Sequence, residues 1–434
     1  MRAMVIGSGA GGAMAARHLA SSGFEVQVLE AGRPFKALTR KVLHAGALRR
    51  TGLLGSERTI SRLFPYMRTA RSGDIVTVRG LGAGGCTAIS CGNLVQTDKG
   101  LKEIGLDLGP EFAEIGAMLP TCTVPRERWR PTTGEMFDVA SVIGLSPAPT
   151  PKAMNLQRCT GCGMCELGCN TGARWDSRRW IDDAMGYGAR VSYEHEARRV
   201  LIESGRVVGV RTLTPSGEVT IKADMVVLSA GGMGTAQVLA RSGIPTSDTL
   251  WIDPVLTFGG VKPGSRQLEE VPMAWYAKRE DYMISPYLDL LSHFFQPSWR
   301  KVGINDRVGV MVKLADEANG RVDADGNLSK VLSPGDEANI AEATRLVEGM
   351  MSEAGVKGPI VKGMINGGHL GGTMPLHREE VGTMHPVALP ENLWVADLSL
   401  VPRSQGMPTM MLAAAMALRV AKTITSGSSN CEGP

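Results

Sequence analysis

The chain has 434 residues, enough for two or three structural units with sizeable cores. Hydrophobic residues at 43% and charged residues at 21% exclude a disordered chain. With 47 basic against 43 acidic side chains, the net +4 comes without a basic stripe for nucleic acid or a block of like charge for an interaction tail. The longest apolar stretch, near 407–418, falls short of the roughly 20 residues of a membrane span. The opening MRAMVIGSGAGG reads directly as strand and turn, so no export leader is expected. These features predict a glycine-rich, cytoplasmic α/β protein.

The first element is the apolar run 2–7, which ends in Gly7-Ser-Gly9-Ala-Gly11-Gly12. A helical pattern follows over 13–22, then a second strand over 24–29 with Glu30 at its tip. Strand, G-x-G-x-x-G, helix, strand and acid in that order form a dinucleotide-binding unit. Gly7 permits the tight turn, Gly9 lets the backbone approach a pyrophosphate, and Gly12 lets helix pack on strand. The helix N-terminus offers free N–H groups to phosphate, and Glu30 can accept from a ribose hydroxyl. This unit alone does not choose between FAD and NAD.

Further along lies Cys159-x-x-Cys162-x-x-Cys165-x-x-x-Cys169, four of the chain's eight cysteines within eleven residues. In a chain without an export leader such a run favours metal ligation or redox chemistry over disulfides. The spacing resembles that of bacterial ferredoxins, whose thiolates hold a [4Fe–4S] cluster. Either Cys169 completes the site or a remote cysteine does, Cys122 or Cys431. A structural zinc site and a purely structural cysteine loop are the alternatives. Downstream, 197–210 reads as a β-hairpin turning at Ser204-Gly205, and 336–354 as an amphipathic surface helix. Seven aromatic residues fall between Trp275 and Trp299, a density that suits either sheet core or an apolar pocket wall.

Three more segments carry a resemblance to one family. Gly80-Leu-Gly-Ala-Gly84-Gly85-Cys86-Thr-Ala-Ile-Ser90 resembles the second glycine-rich segment of the glucose–methanol–choline (GMC) oxidoreductases. The strand 225–228, followed by Ser229-Ala230-Gly231-Gly-Met-Gly-Thr, resembles that family's second signature. Residues 392–402, with the apolar helix that follows, resemble its C-terminal flavin-binding segment.

The resemblance implies a Rossmann-like FAD-binding domain in discontinuous pieces (1–150, 181–250 and 381–425). It also implies a β-rich substrate domain at 251–380, and the cysteine motif forms a small insertion at 151–180. It places Val200 at the adenine, Gly80, Gly84 and Gly85 against the flavin with Cys86 and Ser90 beside them, and Ala230, Gly231, Asp397 and Pro408 near the cofactor. It makes His369, in His369-Leu-Gly-Gly-Thr373, the catalytic base. The chain departs from the family at Met407, where a second His or Asn usually precedes the proline, and it is about a hundred residues shorter than most members.

The expected function is an FAD- and [4Fe–4S]-dependent dehydrogenase or reductase acting on an alcohol/carbonyl group or an activated C–C bond of a small, apolar organic substrate, not an oxygen-using oxidase. Hydride moves between substrate and flavin N5, and single electrons pass to an electron-transfer protein, another redox subunit or a quinone-linked acceptor. The alternatives are a flavin-dependent isomerase without net redox and an electron-transfer subunit without a substrate.

Overall fold

The N-terminal apolar run forms the strand Arg2–Ile6, the centre of a five-stranded parallel sheet in the computed structural model, which describes residues 1–39, 43, 64–299 and 301–429. The strand order is Leu393–Val395, Met225–Leu228, Arg2–Ile6, Glu25–Leu29 and Arg190–Ser192, each pair parallel. Ala3 to Ile6 are all buried, as a parallel strand covered on both faces requires. The helix Ala10–Ser21 lies on this sheet, and small residues on its buried face allow close approach. A Cβ on Gly12 would stand 2.0 Å from the Gly7 carbonyl oxygen, so only glycine fits where helix meets strand. The C-terminal helix Met410–Ser429 packs against Ala10–Ser21 and completes one apolar core that includes Met14, Leu19, Leu228 and Leu412.

The hairpin forms as expected. Strands Glu196–Glu203 and Arg206–Thr214 are joined through Ser204 and Gly205, both with positive φ.

A second sheet has nine strands, built around the antiparallel pair Val255–Val261 and Arg307–Leu314. Every residue of Arg307–Leu314 is buried. The helix Pro334–Glu353 covers this sheet and is started by a capping box in which the Ser333 and Asp336 side chains satisfy each other's backbone N–H groups. Of the aromatic run, Trp275 and Tyr282 enter this core, so they serve packing rather than a pocket wall. The side chains at 293–295 lie outside the described residues.

At one edge of this sheet Ile365–Gly367 pairs in parallel with Ile75–Gly80. Those strands run side by side into the glycine-rich turn after Gly80 and the loop carrying His369, and the sheet pairing thereby brings segments almost 300 residues apart together. The chain therefore has the expected α/β architecture, a Rossmann-like parallel sheet beside a second, larger sheet. Among the described residues no helix is long and apolar enough to cross a membrane.

Trp275 is wholly buried, donates from Nε1 to the Thr133 carbonyl at 2.9 Å, and stands edge-on to Phe137. Trp275→Ala should destabilise the chain by about 3–5 kcal/mol, read as a lower unfolding midpoint in denaturant. A loss below about 1 kcal/mol would show that this core does not hold the second sheet.

Candidate functional site

The glycine turn after Arg2–Ile6, the turn after Gly80, the start of the helix Gly231–Arg241 and the His369 loop converge on one cavity of about 240 Å³. Gly7, Gly9, Gly11, Glu30, Gly80, Gly85, Cys86, Ser90, Ala230, Gly231, His369 and Asp397 all line it.

Four expected residues do not. Gly12 is spent on helix–strand packing. Gly84 turns its N–H to the Ser8 hydroxyl at 3.0 Å. Val200 is buried with its N–H on Ser242 Oγ at 2.9 Å, and the wall there is His195, Glu196 and Ala197 instead. Pro408 lies behind Thr409 and Met410, which take its place in the wall.

Two expected cofactor ligands are braces within the protein. Glu30 accepts from the Ser8 N–H and hydroxyl on one oxygen, and from the N–H groups of Gly32 and Gly82 on the other. Its carboxylate therefore ties the two glycine turns together. Burial pushes its pKa up, and these donors only partly offset that. Asp397 accepts from the Gly231 N–H, the Thr235 hydroxyl and the Ser399 N–H, and burial raises it as well.

His369 is half-buried at the cavity, and its Nδ1 lies 3.5 Å from Oδ2 of Asp253. Asp253 is fully buried and sits at φ 46°, a left-handed conformation that costs a non-glycine residue roughly 1–3 kcal/mol. Its Oδ1 accepts from Ser404 Oγ at 2.5 Å and from the N–H groups of Gln405 and Gly406 at 2.8 and 2.9 Å, which leaves Oδ2 for the imidazole. Burial pushes the Asp253 carboxyl up, but His369, Lys313 and Ser404 together hold it below the ordinary value. Burial and the Lys313 charge pull His369 below the ordinary imidazole value. The Met407 side chain enters a sulfur-rich core with Met273, Met311 and Cys165, and it is the Met407 backbone that acts on His369, raising its pKa and partly offsetting the burial.

No local motif marks Asp253, because the groups around its carboxylate, His369 and Ser404 to Gly406, lie more than a hundred residues away. Arg79 carries no motif either. It lines the cavity, and its Nε is buried without a hydrogen-bond partner.

The four cysteines of the motif line one narrow, enclosed cavity of about 20 Å³. None of the four is in a disulfide; Cys122, not in one either, is absent from that wall, and Cys431 lies outside the described residues. Gly163 takes φ +71°, and a Cβ there would stand 2.0 Å from the Leu268 carbonyl oxygen, so the loop needs glycine at this point. Burial pushes the Cys159 thiol up. At Cys169 the Arg174 N–H, at 3.4 Å, and Thr171 outweigh burial and lower it. Among the described residues no group of three or more His, Cys, Asp or Glu side chains is close enough to hold a single metal ion.

The cavity fits a dinucleotide in two respects. No protein atom stands within 4 Å of where a Gly9 Cβ would be, so the turn faces open space, and the unpartnered Arg79 offers a charged donor.

A model for the GMC oxidoreductase family matches residues 126–259, and one for NAD(P)-binding Rossmann-like domains matches residues 5–38. A GMC-type oxidoreductase of Mycobacterium tuberculosis is 31% identical over 256 residues, 56% of this chain. The matched region covers only 39% of that relative's length. An uncharacterised protein of Methanocaldococcus jannaschii is 25% identical over 364 residues, 83% of this chain and 90% of that one. Among solved structures, pyridoxine 4-oxidase from Mesorbium loti superposes with a TM-score of 0.71 at 13% identity, covering 97% of this chain and 98% of that one. Over residues 126–259 the chain is thus similar to the GMC oxidoreductases.

Proposed function

We propose that this chain is an oxidoreductase that uses FAD and a [4Fe–4S] cluster to move hydride between flavin and an alcohol-type carbon of a small organic substrate. The observation that carries the reading is His369, a neutral imidazole beside a buried carboxylate, in the same cavity wall as the three glycine-rich segments. Bound FAD supplies a hydride acceptor at N5.

The residues of the chain do the rest. The turn Gly7–Gly12 and the start of Ala10–Ser21 hold the pyrophosphate through free N–H groups. Arg79 adds a charge to that cradle. With Nδ1 turned toward Asp253, His369 Nε2 takes the substrate hydroxyl proton, and Asp253 orients the ring and stabilises the imidazolium. The carbon gives up hydride, a proton with two electrons, and becomes a carbonyl. Bound FAD would take up that hydride, and the cluster would hand its two electrons on singly to a one-electron carrier protein.

Cys159, Cys162, Cys165 and Cys169 are the ligands of the cluster, which supplies the one-electron exchange. A single tetrahedral ion at about 2.3 Å from each sulfur needs the thiols gathered tightly together. A cluster would instead take one thiolate at each of four irons, and four cysteines in one cavity wall are the donor set for that. A second reading has oxygen as the electron acceptor, and the oxidase among the structural neighbours favours it.

His369→Ala should retain FAD but slow substrate-dependent flavin bleaching by about 10²–10⁴-fold, measured by anaerobic stopped flow. An unchanged rate removes His369 from the chemistry. Because burial and Lys313 lower the His369 pKa, the base form persists to lower pH than in an ordinary imidazole. The acid limb of kcat/KM should therefore fall below pH about 6.5, with activity lost as pH drops through it. A limb above that value would contradict the assignment.

A further inference from the structure

Lys152 and Arg174 are among the largest fully buried side chains of the chain. Two other buried lysines have carboxylates: Lys330 pairs with Asp316 at 2.8 Å, and Lys313 lies by Asp253 and Asp316. Lys152 has none. Its Nζ donates to Asn93 Oδ1 at 2.5 Å, to the Pro272 carbonyl at 2.7 Å and to the Cys91 carbonyl at 3.4 Å. Arg174 spends its guanidinium on the carbonyls of Thr87, Ala88 and Trp175. The Asp176 carboxylate is 3.9 Å from it and is held in a two-point contact by Arg178. Burying a cation without an opposite charge is costly; Arg174 shares Asp176 with Arg178, whereas Lys152 has no carboxylate and calls for an anion.

Both cations lie close to the cysteine loop. Lys152 is within charge-interaction range of Cys91 first and then of Cys165, and Arg174 is within range of Cys165 and Cys169. The Arg174 backbone N–H is also bonded to Cys169 Sγ. We infer that Lys152 and Arg174 are the built-in counter-charges of the anionic thiolate-ligated cluster, and that they raise its reduction potential. This rests on the proposal that the cysteine loop holds an iron–sulfur cluster. Four thiolates around an iron–sulfide core carry net negative charge that grows by one on reduction, so a fixed buried cation favours the reduced form. Arg174 also grips the carbonyls of Thr87 and Ala88, and Thr87 lines the flavin cavity. The same side chain thus joins the two sites.

The test is a redox titration of the cluster, followed by EPR in holoprotein purified without air, with iron, sulfide and flavin measured on each sample. Lys152→Met removes the charge and keeps the bulk. It should retain iron, sulfide and flavin and shift the cluster midpoint to more negative potential, whereas Lys152→Arg should stay near the wild-type midpoint. An unmoved midpoint in iron-loaded Lys152→Met overturns this inference and leaves the cluster intact. If Lys152→Met loses its iron, then Lys152→Arg decides. Retained iron there supports the charge role, and loss in both shows that Lys152 serves packing alone. Wild-type protein without iron and sulfide overturns the cluster proposal and this inference with it.

Discussion

The turn from Gly84 to Ser90 is gripped from two sides, and the arrangement of both candidate sites follows from that grip. On one side it is stitched to the first glycine turn. The Gly84 N–H meets the Ser8 hydroxyl, Glu30 spans Ser8 and Gly82, and Ser177 donates to the Ser8 carbonyl while meeting the Thr87 hydroxyl. On the other side Arg174 holds the Thr87 and Ala88 carbonyls, and the turn Gly85–Ile89 packs directly on Cys165–Leu167. One layer of backbone therefore separates the flavin cavity from the cysteine loop. Buried polar contacts of this kind are costly to break one at a time, because each lost partner leaves a desolvated group behind. They hold the distance between the sites fixed.

The surroundings of the two sites differ in a way that suits different chemistry. His369 faces the cavity and, at 3.5 Å, the free oxygen of a carboxylate whose other oxygen is fully occupied, and burial with the Lys313 charge holds its pKa below the ordinary imidazole value. The thiols instead adjoin a dry core of methionine and cysteine side chains, among them Met154, Met273 and Met311. Low polarity there strengthens every charge–charge term, so Lys152 and Arg174 act on the cysteine loop more strongly than surface cations could.

Much of this was legible in the sequence wherever the physics is local. Gly12 could be assigned from spacing alone, because helix–strand contact forbids a side chain there. The hairpin turn at Ser204-Gly205 was readable in the same way, and so was the cysteine run. Roles that depend on distant partners were not legible. Glu30 has the position of a ribose ligand, yet the fold spends its oxygens on Ser8, Gly32 and Gly82. Val200 was assigned to the adenine by resemblance, but hairpin register puts His195 to Ala197 in the wall. Asp253 and Lys152 carry no motif at all. Their importance lies in being buried with particular neighbours, and only the strand pairing of the second sheet and the return of the chain after residue 150 bring those neighbours together.

The central claim is that one chain holds a flavin and an iron–sulfur cluster on opposite faces of the same turn. Chemical analysis of anaerobically purified protein, with an EPR spectrum after dithionite reduction, tests it most directly. The account predicts one FAD with about four iron and four sulfide per chain and a reduced-cluster signal. FAD with zinc, or with no metal, would contradict it and leave a flavoprotein whose cysteine loop is structural.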